Sequence, residues 1–394
     1  MNHATLTSND TYKTEMNYRI KLLYYSSFSF EKPSGVATWL KCLAERMPRH
    51  EITVVCPLGS RIEKSISLPG NVHIKKLSNL NKFSYGFVPS IQGLRKILQF
   101  AHDNDIILVE MSIAFNDIIS YAIAKLAKKR LIYVLHCPLF LPNNNVHNIY
   151  ANKISLALLR RCDAVWVMNS DEERYLKKLK FQRVYRIPYG VDTEKFKPIK
   201  KTKRERFVVT FLARLTWQKG IDTLLEAIKQ LSNFSQIKSA MLFRIAGYGE
   251  EEIIHEVTQL SETNKEFVEY LGAVPHELAP SILAQSDRFV LPSRYETFGI
   301  PALEAQSCGV PVVSTNIPGL RDVVVHMKTG LLISPGSASE LAKNILWFYE
   351  LWRNDSDVYK NFCLNARRNA LNYDWKIVVS MVNSLLHEVL GASI

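Results

Sequence analysis

Residues 287–315, DRFVLPSRYETFGIPALEAQSCGVPVVST, constrain the fold more tightly than any other stretch of the chain. Phe289, Val290 and Leu291 form a short apolar run of the kind that becomes a strand buried on both faces of a parallel sheet. A turn-rich segment follows. Pro301 then stands where a helix begins, since the first turn tolerates its missing N–H. Gly309 is placed to end that helix, and 310–313 reads as the next strand. Strand, loop, short helix and strand make half of a doubly wound sheet, and the loop falls where such sheets bind ligands.

Two carboxylates frame that loop. Glu296 precedes the helix, and Glu304 lies eight residues later, about one turn inside it. Between them Thr297, Phe298 and Gly299 offer backbone N–H groups at a helix N-terminus, suited to phosphate or sugar oxygens. Gly299 lets the backbone approach a ligand closely. Carboxylates accept hydrogen bonds and do not donate them, so each can hold two neighbouring hydroxyls, and a sugar with a ribose behind it would occupy both. Taken alone, the pair also fits a plain helix whose early Glu residues favour its dipole.

The same strand-to-helix step recurs along the chain. Residues 20–25 read as a first strand, and a loop ending at Ser34 and Gly35 leads to a helix with Val36, Leu40, Leu43 and Met47 on one face. Strands follow at 52–57, 72–74 and 106–110, then a helix at 117–129. The strand 131–135 leaves His136 at its carboxyl end, where a doubly wound sheet places ligand-contacting groups. AVWVMNSDEERYLKKL repeats the step, with Ser170 as N-cap and Glu173 as its capping-box partner. The charged stretch 197–206 reads as an interdomain linker. Beyond it, 208–212 is a strand, and a helix starts near Gly220. Arg214 and Lys219 flank the loop between them, where both could reach a diphosphate or remain solvated surface. FRIAGYGEEE is strand, glycine turn and helix, with Gly247 and Gly249 in the turn. The segment 375–390 has the pattern of an amphipathic helix. No D-x-D pair is placed to hold a metal.

The 394 residues suit two domains, each with its own core. No apolar run reaches membrane-span length, and residues 1–18 are polar without the apolar core of a signal peptide. The six cysteines are scattered without a C-x-x-C pair, which fits reduced cytosolic thiols. Charge is lopsided. Residues 1–200 carry 30 Lys+Arg against 16 Asp+Glu, or +14, and residues 201–394 carry 20 against 21, or −1, which gives the overall +13. A basic half fits an anionic partner, anionic lipid or nucleic acid, and equally a solvated surface with surplus lysine. The absence of an RNP sequence or zinc knuckle speaks against nucleic acid. Aromatics at Phe83, Tyr85 and Phe87 interleave with lysines and arginines across 75–96, as in a solvated loop and helix surface or in a basic amphipathic patch.

ETFGIPALEAQSCGVPVV resembles the E-x7-E signature of glycosyltransferase family 4, retaining enzymes of GT-B architecture. The segments IPGLRDVV, TGLLISPG, R-L-x-x-x-K-G and RIPYGVDTEKFKP resemble further family segments. The resemblance implies an α/β chain of two Rossmann-like doubly wound domains facing each other across a cleft. These are residues 1–196 on the acceptor side and 197–374 on the nucleotide-sugar side, with 375–394 packing back on the first. It implies that Arg214 and Lys219 bind the donor diphosphate, that Glu304 binds the ribose, and that Glu296 with the 297–299 amides binds the sugar. His136 reaches the donor sugar from the first domain, Gly35 and Gly247 lie near the phosphates, and Val274 faces the base. Glu296, His136, Arg214 and Lys219 are thereby the catalytic candidates. Two positions depart from the family pattern: Ser34 replaces the first of a glycine pair, and Tyr189 replaces an asparagine, so no hydrogen-bonding role is assigned at 189. The expected activity is retaining transfer from a UDP- or GDP-sugar to a glycan or lipid-linked acceptor, without metal or other cofactor. It is expected in the cytoplasm or on the cytoplasmic face of a membrane, in envelope polysaccharide or lipopolysaccharide synthesis. A glycosidase, a sugar-nucleotide epimerase and a catalytically silent nucleotide-sugar-binding partner are the competing readings.

Overall fold

A computed structural model describes residues 19–25, 35–57, 68–77, 79–83, 86–111, 115–136, 146–200 and 205–391. Ser34, Tyr85, the first 18 residues and the middle of the expected linker lie outside the described residues. Fifteen strands occur among those described: β1 Lys21–Tyr25, β2 Glu51–Pro57, β3 Val72–Leu77, β4 Asn79–Phe83, β5 Gly86–Pro89, β6 Ile106–Glu110, β7 Arg130–Val134, β8 Ala164–Val167, β9 Val184–Arg186, β10 Phe207–Leu212, β11 Met241–Ala246, β12 Val268–Tyr270, β13 Arg288–Leu291, β14 Val312–Thr315 and β15 Gly330–Ile333.

They make two parallel sheets, ordered β3-β2-β1-β6-β7-β8-β9 and β12-β11-β10-β13-β14-β15, and an antiparallel β4-β5 hairpin. In both sheets the chain first winds one way from the starting strand and then crosses over to wind the other way. Both are therefore doubly wound, and each has a point where the strand order reverses, at β1/β6 and at β10/β13. Burial explains why these runs are almost continuously apolar: all five residues of β6 and all four of β8 and β13 are buried. In β1, Leu22 and Tyr24 join one hydrophobic layer and Leu23 joins the layer on the opposite face, as a two-residue side-chain period requires.

Two local readings of the sequence need correction. The strand expected at 310–313 begins at Val312, because the Val310 N–H caps the preceding helix on the Ala305 carbonyl (3.0 Å) and Pro311 has no N–H to give. The helix Ser170–Lys178 is capped by Asn169, whose side chain accepts from the Glu172 N–H at 2.9 Å. Ser170 is not the cap: its hydroxyl turns to Asp322 of the second sheet's domain, and Glu173 pairs with Lys177 and Arg186. The basic stretch 75–96 divides among β3, the hairpin and the helix Ile91–His102.

The last helix, Trp375–Leu390, returns to the first domain. Val378, Val382, Leu385, Leu386 and Val389 are buried, the helix packs on Gly35–Arg46, and Asn383 Oδ1 lies 3.1 Å from His50 Nε2. Its start is held by Val191, whose N–H donates to the Tyr373 carbonyl (2.9 Å) and whose carbonyl accepts from the Trp375 N–H (3.2 Å). Gly190 lies flat against the Trp375 indole, so an added Cβ would overlap the ring. Gly190→Ala is expected to lower stability by about 1–3 kcal/mol, the usual cost of overpacking. Chemical denaturation with an unchanged midpoint would show that the helix start tolerates displacement.

Candidate functional site

The site is built where the strand order of the second sheet reverses. The loops leaving β10 (213–220) and β13 (292–299) run side by side, and they touch at Gly220, where a Cβ would strike the Pro292 carbonyl. Gly220 also has φ 72°, a conformation that favours glycine. Arg294 joins the two loops. Its N–H donates to the Gln218 carbonyl (2.8 Å), and its guanidinium donates to the Trp217 carbonyl (2.7 Å) and forks onto Asp222 at 2.7 and 2.6 Å. The same guanidinium lies 4.4 Å over the Trp217 ring. Within this frame Lys219 Nζ meets Glu296 Oε1 at 2.5 Å, and Ser293 Oγ donates to the same oxygen at 3.0 Å. Both charged side chains are nearly buried, at 12 % and 9 % exposure.

The residues after Glu296 bind the two domains together. Thr297 Oγ1 donates to the His136 carbonyl (2.8 Å), and Asn169 Nδ2 donates to the Thr297 carbonyl (2.9 Å). Phe298 is buried between Tyr189 and Tyr373, with ring centroids 5.8 and 5.6 Å away. On the short helix Leu320–Val323, the Asp322 carboxylate accepts from the N–H and hydroxyl of Ser170 at 2.5 Å each, and Arg321 donates to Asp171 at 3.1 Å. The side chains of Thr297 and Phe298 thus serve the interdomain seam, while the N–H groups of Thr297, Phe298 and Gly299 have no acceptor among the described residues. Gly299 caps the helix Ile300–Ser307 at φ 100°, a backbone conformation that a side chain would strain.

His136 stands at the carboxyl end of β7, 6 % exposed, its ring packed edge-on to Trp39 at 4.5 Å. Its Nδ1 is 2.7 Å from the Tyr189 hydroxyl, a contact that the sequence did not foretell. Burial pushes its pKa down to about 3, so the ring is neutral at physiological pH. Its Nε2 and the neighbouring Trp39 Nε1 are enclosed and without hydrogen-bond partners among the described residues.

Glu304, on the helix Ile300–Ser307, is buried and its Oε1 lies 2.7 Å from His276 Nε2. Nothing in the local pattern around His276 pointed to this pairing, which spans 28 residues and depends on the loop after β12 folding over the helix. The imidazole also lies against Phe196, 5.5 Å between centroids. The remaining candidates stand apart from these pairs. Arg214 is exposed with Nη2 3.4 Å from Gln218 Oε1, and Gly247 (φ 153°) lies behind the Ala213 carbonyl. Val274 is half-buried on the loop after β12, and Gly35 opens the helix Gly35–Arg46.

The hydrogen bond from Glu304 raises the His276 pKa above its ordinary 6.5, outweighing the desolvation that lowers it. The pair therefore stabilises the fold fully below about pH 6.5, and its contribution is lost as pH rises through the raised folded value. His276→Gln should melt below wild type at pH 5.5, and the gap should close toward pH 9. Thermal melts with a pH-independent gap would contradict the pairing.

Two family models match adjoining parts of the chain: "Glycosyltransferase Family 4" over residues 33–195 and "Glycosyl transferases group 1" over 192–368. An uncharacterized 41.2 kDa protein in the cps region of Klebsiella pneumoniae is 27 % identical over 357 residues, 85 % of this chain and 93 % of that one. The O-antigen chain mannosyltransferase B of Escherichia coli is 33 % identical over 138 residues, 34 % of this chain and only 35 % of that protein's length. Among solved structures, HepE of Anabaena, crystallised with UDP and glucose, superposes with a TM-score of 0.74 at 20 % identity, covering 94 % of this chain and 100 % of that one.

Proposed function

The chain belongs to the family 4 glycosyltransferases, and we propose that its reaction moves a sugar from a nucleotide-sugar donor to an acceptor hydroxyl at the seam holding Lys219, Glu296 and Glu304. One observation carries this reading. A nearly buried cation and carboxylate converge at the reversal point of the second sheet, beside a row of backbone N–H groups without acceptors among the described residues. Brought together, these groups suit a molecule that is anionic at one end and rich in hydroxyls at the other.

In the proposed assignment Lys219 and Arg214 take the diphosphate, the 297–299 amides and Glu296 take the sugar, and Glu304 takes the ribose. Gly247 and Gly35 line the approach to the phosphates, and Val274 lies beside the base. His136 closes the site from the first domain. As the glycosidic bond breaks, negative charge grows on the leaving phosphate, so fixed cations stabilise the transition state more than the bound donor. Lys219 would then exchange its partner, leaving Glu296 for the phosphate. Glu296 is assigned to binding and not to a covalent intermediate. Retention of anomeric configuration, independence from metal ions, and UDP or GDP as the carrier belong to this proposal. The HepE structure with UDP supports a nucleotide-sugar donor. The relatives named for a cps region and an O-antigen chain support an acceptor in envelope polysaccharide synthesis, glycan or lipid-linked.

No helix among the described residues is long and apolar enough to cross a membrane. Exposed cations on the loops leading into β7, β8 and β9 (Lys128, Arg130, Arg160, Arg161, Lys180 and Arg183) lie at the opposite end of their strands from His136. An anionic surface held there would leave the site accessible.

Thermal-shift screening against UDP-, GDP- and ADP-sugars tests the donor. A matching donor at a hundred times its Kd should stabilise the protein by about 2.7 kcal/mol. With that donor, Glu296→Gln and Arg214→Ala should each lower kcat/KM at least about a hundredfold, equivalent to ~2.7 kcal/mol of transition-state stabilisation. Wild-type turnover in both variants would remove the assignment. NMR of the glycoside product reports the anomer, and an interconverted donor without product would favour an epimerase.

A further inference from the structure

We propose that Tyr189 is a positioning residue that fixes the hydrogen-bonding form of His136, so that Nε2–H is held ready to donate to an oxygen of the bound ligand; the ligand's identity rests on the donor site proposed above. Four observations lead there. The Tyr189 hydroxyl is 2.7 Å from Nδ1 of His136. The imidazole is neutral, so only one of its nitrogens carries hydrogen. The opposite nitrogen, Nε2, is enclosed and has no partner among the described residues. The ring cannot easily turn away, because Trp39 packs edge-on against it at 4.5 Å and is itself wedged against Trp166 at 5.4 Å.

The direction of the Tyr189 hydrogen bond follows from the chemistry of the two groups. A phenol is a good donor and a weak acceptor, whereas the unprotonated nitrogen of a neutral imidazole is a strong acceptor. The favoured pairing is Tyr189 O–H donating to Nδ1, and this leaves the hydrogen on Nε2. A buried N–H without an acceptor is unfavourable, and a ligand oxygen arriving at Nε2 would relieve it.

Tyr189 also sets where that donor stands. Phe298 packs on the Tyr189 ring, and Thr297 holds the His136 carbonyl, so imidazole and phenol are fixed to the same loop that carries Glu296. The family pattern has asparagine at this position. An asparagine side chain offers both a carbonyl and an amide and could support either tautomer, whereas tyrosine favours one.

Tyr189→Phe keeps the ring and removes only the hydroxyl, which separates positioning from packing. Long-range 1H–15N spectra of histidine-labelled protein, with His136 assigned by its loss in His136→Asn, should show Nδ1 bare and Nε2 protonated in the wild type. In Tyr189→Phe they should show a mixture of tautomers. With the active donor, Tyr189→Phe should lower kcat about tenfold, one hydrogen bond's worth, while donor KM changes less than about twofold. Tyr189→Asn should lose as much or more. A wild-type spectrum with Nδ1 protonated overturns the proposal, and so does a Tyr189→Phe enzyme with wild-type kcat. The tautomer is read without turnover, so a failed donor assignment and a failed role for Tyr189 remain distinguishable.

Discussion

Lys219 and Glu296 meet in surroundings that exclude most of the water, and the rest of the site depends on that contact. Taking both charges out of solvent is costly. Their attraction offsets the cost only when geometry is good and the remaining lone pairs are occupied. Ser293 supplies one such bond, and Arg294 supplies the rigidity by stapling the loop of Lys219 to the loop of Glu296. Removing either member of such a pair while the other stays buried typically costs 3–5 kcal/mol (an order-of-magnitude figure). An interaction that costly is poor value as a structural device alone, since apolar side chains would fill the space as well. In the proposed function it is a resting arrangement that an anionic ligand reorganises.

The second dependence runs across the seam between the domains. Thr297 is bonded to His136 and to Asn169, Asp322 accepts from Ser170 at the start of the helix Ser170–Lys178, and Arg321 reaches Asp171. A carboxylate at a helix N-terminus is favoured by the helix dipole as well as by its hydrogen bonds, so Asp322 is well placed as a tie. These ties meet the first domain at the carboxyl ends of β7 and β8 and the second at the segments following β13 and β14. The fold thereby ties two sheets together at a seam whose halves are kept in register by residues adjacent to Glu296 and His136.

Much of this was legible in the sequence because it is periodic or local. The apolar runs of β6, β8 and β13 announce parallel strands. Pro301 and Gly309 bracket a helix, and the doubly wound order places Arg214, Lys219, Glu296 and His136 at strand ends. What escaped was set by residues distant in sequence. The Tyr189 hydroxyl gains its role only because β7 brings His136 beside it, 53 positions away. His276 finds Glu304 through tertiary folding alone. Ser170 looked like a cap because serine commonly is one, yet Asn169 was equally suited, and the Asp322 carboxylate from the other domain claims Ser170. The strand after Gly309 starts late because Val310 spends its N–H on the helix it follows.

The two histidines of the site show how surroundings decide chemistry that composition leaves open. Both are partly or wholly withdrawn from water, which by itself disfavours the charged ring. His136 has only that influence, together with a neutral phenol, and stays uncharged far below neutral pH. His276 lies against a buried carboxylate, and the hydrogen bond to Glu304 overcomes the desolvation. One ring is therefore a neutral group of fixed tautomer in the first domain, and the other shares its charge with a carboxylate in the second. If Glu304 receives a ribose, the hydroxyls must compete with or join His276 at Oε1, whereas a ligand oxygen reaching Nε2 of His136 displaces no partner among the described residues. In the proposed assignment the affinity of the nucleotide end should thus respond to the charge of His276, while the sugar end meets a ring that stays neutral at physiological pH.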